Sequence, residues 1–141
     1  MIEKYYEEEL NINTTGEQSW DETKKCYHPY EPTPYFALDK LFEDYCINED
    51  DYIVDFGCGK GRLNFYLNYR YKCSVLGIEM DERFFNKCLE NKQKYLKSIK
   101  REEDKINFLC ILAQEYKISS RDNKFYFFNP FSIPNTLHLY L

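Results

Sequence analysis

The sequence predicts an α/β fold in which a parallel sheet is flanked by helices. Three observations support this: short apolar runs alternate with amphipathic helical ones, a glycine-rich turn follows the first apolar run, and an acid ends the second. Strands that alternate with helices favour parallel pairing through right-handed crossovers. In such a sheet the carboxyl ends of the strands form the edge at which ligands bind, so the glycine turn and the acid predict a ligand site there.

Each element has its own local signal. The spacing of Leu38, Leu41, Phe42 and Tyr45 predicts a helix, for which Thr33 is a good N-cap and Pro34 a good first residue. Farther along, a strand is entered through Tyr52-Ile53-Val54, and the pattern predicts helix 60–70, strand 74–79, helix 82–100, strand 106–111 and strand 124–129. The lysines of the long helix are interleaved with apolar residues, which indicates a solvated face.

The turn Asp55-Phe56-Gly57-Cys58-Gly59-Lys60-Gly61 is the strongest functional signal. Glycines at alternate positions let the backbone adopt positive φ and approach a ligand, and the N–H groups of the next helix face the same space. The spacing G-x-G-x-G differs from the dinucleotide fingerprint G-x-G-x-x-G, and an acid two residues before the first glycine would repel a pyrophosphate. The alternative is an ordinary tight connection between a strand and a helix.

The second strand, Cys73 to Glu79, also ends in an acid. It lies roughly 20 to 25 residues after the first, where the second strand of a βαβ unit should end and where an acid can bind ribose hydroxyls. The alternative is that Glu79 only stabilises the N-terminus of the following helix, since carboxylates favour that end.

Together, the Pro-Thr-Pro lead-in, the glycine turn, Gly77-Ile78-Glu79 and Asn129-Pro130-Phe131 resemble a class I methyltransferase that uses S-adenosylmethionine (SAM), over roughly residues 27–132. This resemblance implies a Rossmann-like fold and SAM as cofactor. Within that superfamily, the Tyr-x-Pro-Thr-Pro segment is similar to the non-SET-domain lysine methyltransferases. The cofactor residues that the resemblance implies are Tyr30, Thr33, Asp55, Gly57, Cys58, Gly59, Gly61, Glu79, Gln114 and Glu115.

The same resemblance implies methyl transfer to an amine nitrogen. Asn129, Pro130 and Phe131 are similar to the Asn/Asp-Pro-Pro-aromatic corner of amino-methylating enzymes, although the second proline is absent. The proline fixes the turn, and the asparagine carbonyl can accept a hydrogen bond from an amine. The phenylalanine can form one side of the pocket for the methyl acceptor. The alternatives are an Asn-Pro turn over an aromatic core, a SAM-binding module without catalysis, and an NAD-linked oxidoreductase, against which the glycine spacing argues.

Composition limits the remaining function classes. The chain has 141 residues, 43% of them hydrophobic and 18% aromatic, which predicts a packed domain. A net charge of −5 provides no general attraction to nucleic acid or anionic membranes. The six cysteines form no C-x-x-C pair, which favours buried thiols in a reducing, cytoplasmic compartment. No second ligand pair follows Cys26 and His28, so the sequence predicts no metal site.

The predicted division is an acidic, proline-rich lead-in over residues 1–33 and a SAM-binding domain over 34–141. The resemblance implies a seven-stranded sheet, but the sequence supplies only four predicted strands, so we expect an incomplete carboxyl-terminal half. The run Phe125 to Phe128 would then be an exposed aromatic edge, which predicts self-association besides the binding of SAM and of a protein or small-molecule amine.

Overall fold

The computed structural model describes residues 1–16, 30–101 and 104–127, which form helices around a four-stranded sheet. The elements are α1 (Ile2–Leu10), α2 (Tyr35–Asp44), β1 (Tyr52–Phe56), α3 (Arg62–Tyr71), β2 (Ser74–Ile78), α4 (Glu82–Ile99), β3 (Ile106–Leu109), a 3-10 turn (Ala113–Glu115) and β4 (Lys124–Phe127). The α/β fold expected from the alternation of strands and helices is therefore confirmed.

The sheet has the order β3-β2-β1-β4, and every neighbouring pair is parallel. After β3 the chain crosses back to pair β4 with β1, so the strand order reverses between β1 and β4. Asp55 of β1 is in register with Gly77 of β2 on one side and with Tyr126 of β4 on the other. A reversal of this kind opens a crevice at the carboxyl ends of the strands, which is where α/β sheets bind ligands.

Alternate strand residues supply two separate apolar layers. Ile53 and Val75 belong to the layer that packs against the helices, while Val54 and Leu76 belong to the opposite layer, which packs against the segment around Ala113. This alternation follows from the period of two along a strand, which sends successive side chains to opposite faces. The larger core therefore lies between the sheet and the helices.

Helix α1 contributes to this core. Tyr6 and Leu10 are buried in the same apolar cluster as Tyr35, and the rings of Tyr6 and Tyr35 stack with their centroids 4.6 Å apart. Such aromatic pairs stabilise a core beyond the area they bury. The segment that the sequence assigned to a lead-in, residues 1–33, thus places its helix in the core of the domain predicted at 34–141.

Several local predictions differ from the structure. Pro34, not Thr33, is the N-cap of α2, and the Thr33 hydroxyl lies 2.8 Å from the hydroxyl of Tyr126, so the predicted cap is wrong. Helix α3 begins at residue 62 because Gly61, with a φ of 90°, is its N-cap. Among the described residues, Cys58, Cys73 and Cys88 are buried as expected, whereas Cys46 and Cys110 are exposed.

Apolar side chains also reach the surface at the β4 edge. Strand β4 pairs with β1 alone among the strands of residues 1–16, 30–101 and 104–127, and 41% of Phe125 is exposed.

Over the same ranges, the helices are too short or too polar to cross a bilayer.

Candidate functional site

The glycine-rich turn connects β1 to α3, and its three glycines adopt the left-handed backbone conformation. Gly57, Gly59 and Gly61 have φ angles of 77°, 58° and 90°, which side chains with a Cβ rarely adopt. The amides of Gly57 and Cys58 both donate to the Ile78 carbonyl, at 2.8 and 3.0 Å, and the Gly61 amide donates to the Cys58 carbonyl at 2.9 Å. The loop is therefore anchored to the end of β2, next to Glu79.

Tyr30 packs directly on this loop. A Cβ added to Gly59 would lie 2.4 Å from Cε2 of the Tyr30 ring. The ring also lies 5.0 Å from that of Phe84, and its hydroxyl donates to the Thr14 carbonyl. The absence of a side chain at residue 59 thus makes room for Tyr30, a residue that the sequence analysis assigned to the cofactor site.

Glu79 links the end of β2 to the glycine loop. Its Oε2 accepts from the Gly59 amide at 2.8 Å, and its Oε1 accepts from the Asp81 amide at 2.9 Å. Burial raises the pKa of Glu79, and the hydrogen bonds from backbone amides oppose that rise. The N-cap of α4 is Asp81, whose side chain accepts from the Arg83 amide. The structure therefore gives the capping role to Asp81 and places Glu79 at the loop.

Asp55, the acid that precedes the glycines, is buried at the end of β1. Only 3% of the residue is exposed. With the Asn64 amide oriented to satisfy both neighbours, its nitrogen donates to Asp55 Oδ2 at 2.8 Å and its oxygen accepts from the Gly77 amide at 3.2 Å. Burial, followed by the charge of Glu79, raises the pKa of Asp55 to about 8. Within the described ranges neither Asp55 nor Glu79 forms an ion pair.

Cys58 supports the loop from within. Its Sγ lies 4.0 Å from the Sγ of Cys88, which donates to the Gly59 carbonyl at 3.0 Å. A Cβ added to Gly77 would lie 2.7 Å from the Cys58 Sγ, which explains why β2 needs a glycine at that position. Burial raises the pKa of the Cys58 thiol well above its ordinary value, so the thiol stays protonated and acts in packing.

Of the other predicted site residues, Thr33, Gln114 and Glu115 belong to the part of the chain that the structure describes. The Thr33 carbonyl accepts from Arg62 at 3.2 Å. Gln114 and Glu115 are exposed on the turn after β3, where Glu115 Oε2 accepts from the Leu112 amide at 3.4 Å. Asn129, Pro130 and Phe131 lie outside the described residues. The structure thus brings together Tyr30, Asp55, Gly57, Cys58, Gly59, Gly61 and Glu79.

The sequence analysis did not identify the polar residues that support the loop. Arg62 follows the glycines and is 5% exposed, while Asn64 and Asn91 are fully buried. A signal for them was available, because polar residues on the core-facing side of a helix need buried partners. Those partners are distant in the sequence and could not be named from it.

Comparison with known proteins identifies the family. Residues 35–124 match the protein family described as a methyltransferase domain. Among solved structures, an RNA methyltransferase from Salinibacter ruber in complex with S-adenosyl-L-homocysteine is 24% identical, with a TM-score of 0.59 over 70% of this chain and 61% of that chain. A dimethyladenosine transferase from Plasmodium falciparum is 20% identical, with a TM-score of 0.53 over 74% of this chain and 35% of that chain.

These two structural likenesses concern the fold, and the chain spans less than two thirds of the length of either protein. No curated protein matches the sequence. The family match covers more than half of the chain and includes the glycine loop, the acid after β2 and the 3-10 turn. The chain belongs to the methyltransferase-domain family.

Proposed function

We propose that this protein is a SAM-dependent methyltransferase that transfers the methyl group to an amine nitrogen. The proposal rests on two buried acids, Asp55 and Glu79. They lie at the carboxyl ends of adjacent strands, next to the loop whose glycines have positive φ. A buried carboxyl is costly to ionise without a cationic partner, and a ligand that carries positive charge would offset that cost. SAM is cationic at both its sulfonium and its amino group, whereas a dinucleotide would bring a pyrophosphate against the same acids.

Particular residues of the site fit the parts of this cofactor. The loop glycines allow a close approach of the backbone. Glu79 accepts from the Gly59 and Asp81 amides at 2.8 and 2.9 Å, and a carboxylate has about four acceptor sites, which leaves capacity for a ribose hydroxyl. We assign Tyr30 and Thr33 to the methionine end and the exposed Gln114 and Glu115 to the adenine end. When bound, SAM supplies an electrophilic methyl group, and the chain contributes binding, alignment and exclusion of water.

The acceptor assignment rests on the sequence after β4. Asn129, Pro130 and Phe131 follow a strand whose carboxyl end lies beside that of β1, from which the glycine loop departs. An asparagine carbonyl there can accept a hydrogen bond from an amine and orient its lone pair, and a phenylalanine can wall the acceptor. The likeness of the Pro-Thr-Pro lead-in to lysine methyltransferases makes a protein lysine one of the amines to test.

Calorimetry with SAM, S-adenosylhomocysteine and NAD tests the cofactor assignment. We expect the first two ligands to bind and NAD not to bind. Glu79→Ala should weaken both by about 2 kcal/mol or more, because hydrogen bonds to a charged acceptor contribute roughly 1.5 to 3 kcal/mol. Glu79→Gln, which keeps one acceptor oxygen, should lose less. Glu82→Ala, an exposed acid three residues away, is the control. A loss of only a few tenths of a kcal/mol, or binding of NAD, would contradict the assignment.

A methyl-transfer assay tests the acceptor class. With labelled SAM, we expect N-methyl products from lysine-containing peptides or small primary amines. Asn129→Ala should lower turnover roughly 100-fold, the scale by which misalignment slows a reaction, while SAM affinity changes little. Asn107→Ala, an exposed asparagine on β3, is the matched control. If SAM binds but no amine is methylated, the amine assignment fails, and a protein without turnover on any acceptor is a binding module. If Asn129→Ala leaves turnover unchanged, the corner is a structural turn.

A further inference from the structure

We propose that the N-terminal segment, residues 1–16, is part of the cofactor site, and that Arg62 is a positioning residue that holds Tyr30 on the glycine loop through this segment. The proposal rests on the proposed function. The family match begins at residue 35, so it does not include the segment or Tyr30. The structure nevertheless connects the segment to the loop by a continuous series of contacts.

Arg62 anchors the segment from the start of α3. Its Nε donates to the Thr14 hydroxyl at 2.8 Å, one terminal nitrogen donates to Glu3 Oε2 at 2.7 Å, and the other lies 3.6 Å from Glu7 Oε1. The guanidinium also lies 4.3 Å from the centroid of the Tyr35 ring. A buried guanidinium requires such partners, since one left unpaired would be strongly destabilising. The position of α1 relative to the loop is therefore fixed.

Thr14 transmits that position to Tyr30. It is fully buried, its amide donates to Glu7 Oε2 at 2.7 Å, and its hydroxyl donates to the other oxygen of the same carboxylate. Glu7 and Arg62 thus fix both the backbone and the side chain of Thr14. The carbonyl of Thr14 accepts from the Tyr30 hydroxyl, and the Tyr30 ring packs on Gly59. This series of contacts starts at Arg62, directly after the last loop glycine, and ends at Gly59, in the middle of the loop.

Neighbouring residues of the segment contact the loop directly. Lys60 donates to the Thr15 carbonyl at 2.6 Å, and its ammonium lies 4.9 Å from the centroid of the Tyr30 ring. The Asn91 side chain donates to the carbonyls of Asn13 and Lys60, at 3.0 and 3.1 Å, and accepts from the Asn13 amide. The segment and the loop are therefore hydrogen-bonded through several independent groups.

Variants of Thr14 and Glu7 separate this role from simple support of the fold. Thr14→Val removes the hydroxyl at nearly constant shape, Thr14→Ser restores it, and Glu7→Gln removes the charge. Glu8→Gln, an exposed residue of the same helix, is the control. We expect Thr14→Val and Glu7→Gln to raise the Kd for S-adenosylhomocysteine about fivefold to tenfold, on the scale of one net hydrogen bond, at a temperature where all variants are folded. Thr14→Ser and Glu8→Gln should bind as the wild type does.

Hydrogen exchange at the amides of residues 59–62 gives a readout that needs no cofactor. We expect faster exchange there in Thr14→Val and restored protection in Thr14→Ser. If Thr14→Val and Glu7→Gln only lower the Tm, with unchanged Kd and unchanged loop exchange, the cluster merely supports α1 and the proposal is overturned. If the wild type binds neither SAM nor S-adenosylhomocysteine, the proposed function fails. The exchange comparison then still decides whether the segment positions the loop.

Discussion

Gly59→Val is expected to abolish binding of both SAM and S-adenosylhomocysteine. Residue 59 has a φ of 58°, where a residue with a Cβ costs roughly 1 to 2 kcal/mol and a β-branched one is more strained. In addition, the Cβ would lie 2.4 Å from the Tyr30 ring, so the ring or the loop must move. Calorimetry at a temperature where circular dichroism shows a folded protein is the measurement. A folded variant with wild-type affinity would remove the loop from the cofactor site.

A second pair of variants identifies the cause of that loss. Gly59→Ala in a Tyr30→Ala background has no ring for the new methyl group to meet. If the clash with Tyr30 is the main effect, the free energy of unfolding lost in Gly59→Ala should be largely recovered in the double variant, apart from the cost of the backbone conformation. A cycle of this kind isolates the interaction between two contacting residues. If Tyr30→Ala alone still binds SAM, while the double variant recovers stability but does not bind, the Cβ itself obstructs the ligand.

The fold was predictable because its signals are local. The glycine turn and Glu79 each follow a strong apolar run in the sequence. Because parallel strands end at a common edge of the sheet, the sequence alone predicts that the two lie close together. The hydrogen bond from the Gly59 amide to the Glu79 carboxylate agrees with this prediction. Local signals failed where a distant partner competed: Thr33 has the chemistry of an N-cap, but its hydroxyl lies beside that of Tyr126, on β4.

The support of the site was not predictable for the same reason. Thr14 contacts Arg62, which lies 48 residues away in the sequence, and Tyr30, which lies 16 residues away. No periodic pattern relates these three residues. The partner of Asp55 was not predictable either, because Asn64, whose amide donates to it, belongs to the first turn of α3. An acid after an apolar strand indicates a ligand edge, but whether it faces solvent or the protein interior depends on the neighbouring helix.

Asp55 is expected to make the stability of the protein fall as pH rises. Its pKa is about 8 in the fold, against an ordinary value of 3.8, so between these values the folded state keeps a proton that the unfolded state releases. Its contribution is therefore fully present below about pH 4 and is lost as pH rises through about 8. Each pKa unit corresponds to roughly 1.4 kcal/mol, so this loss should reach several kcal/mol in the free energy of unfolding.

Urea unfolding of the wild type and of Asp55→Asn across this pH range measures the effect. The amide does not titrate, so the variant should lack this part of the slope and become the more stable protein above about pH 8. Asp50→Asn, at an exposed position, should keep the wild-type slope. Parallel slopes for the wild type and Asp55→Asn would contradict the buried, protonated state. A cationic ligand favours the ionised carboxyl, so SAM binding near neutral pH should release more protons from the wild type than from Asp55→Asn.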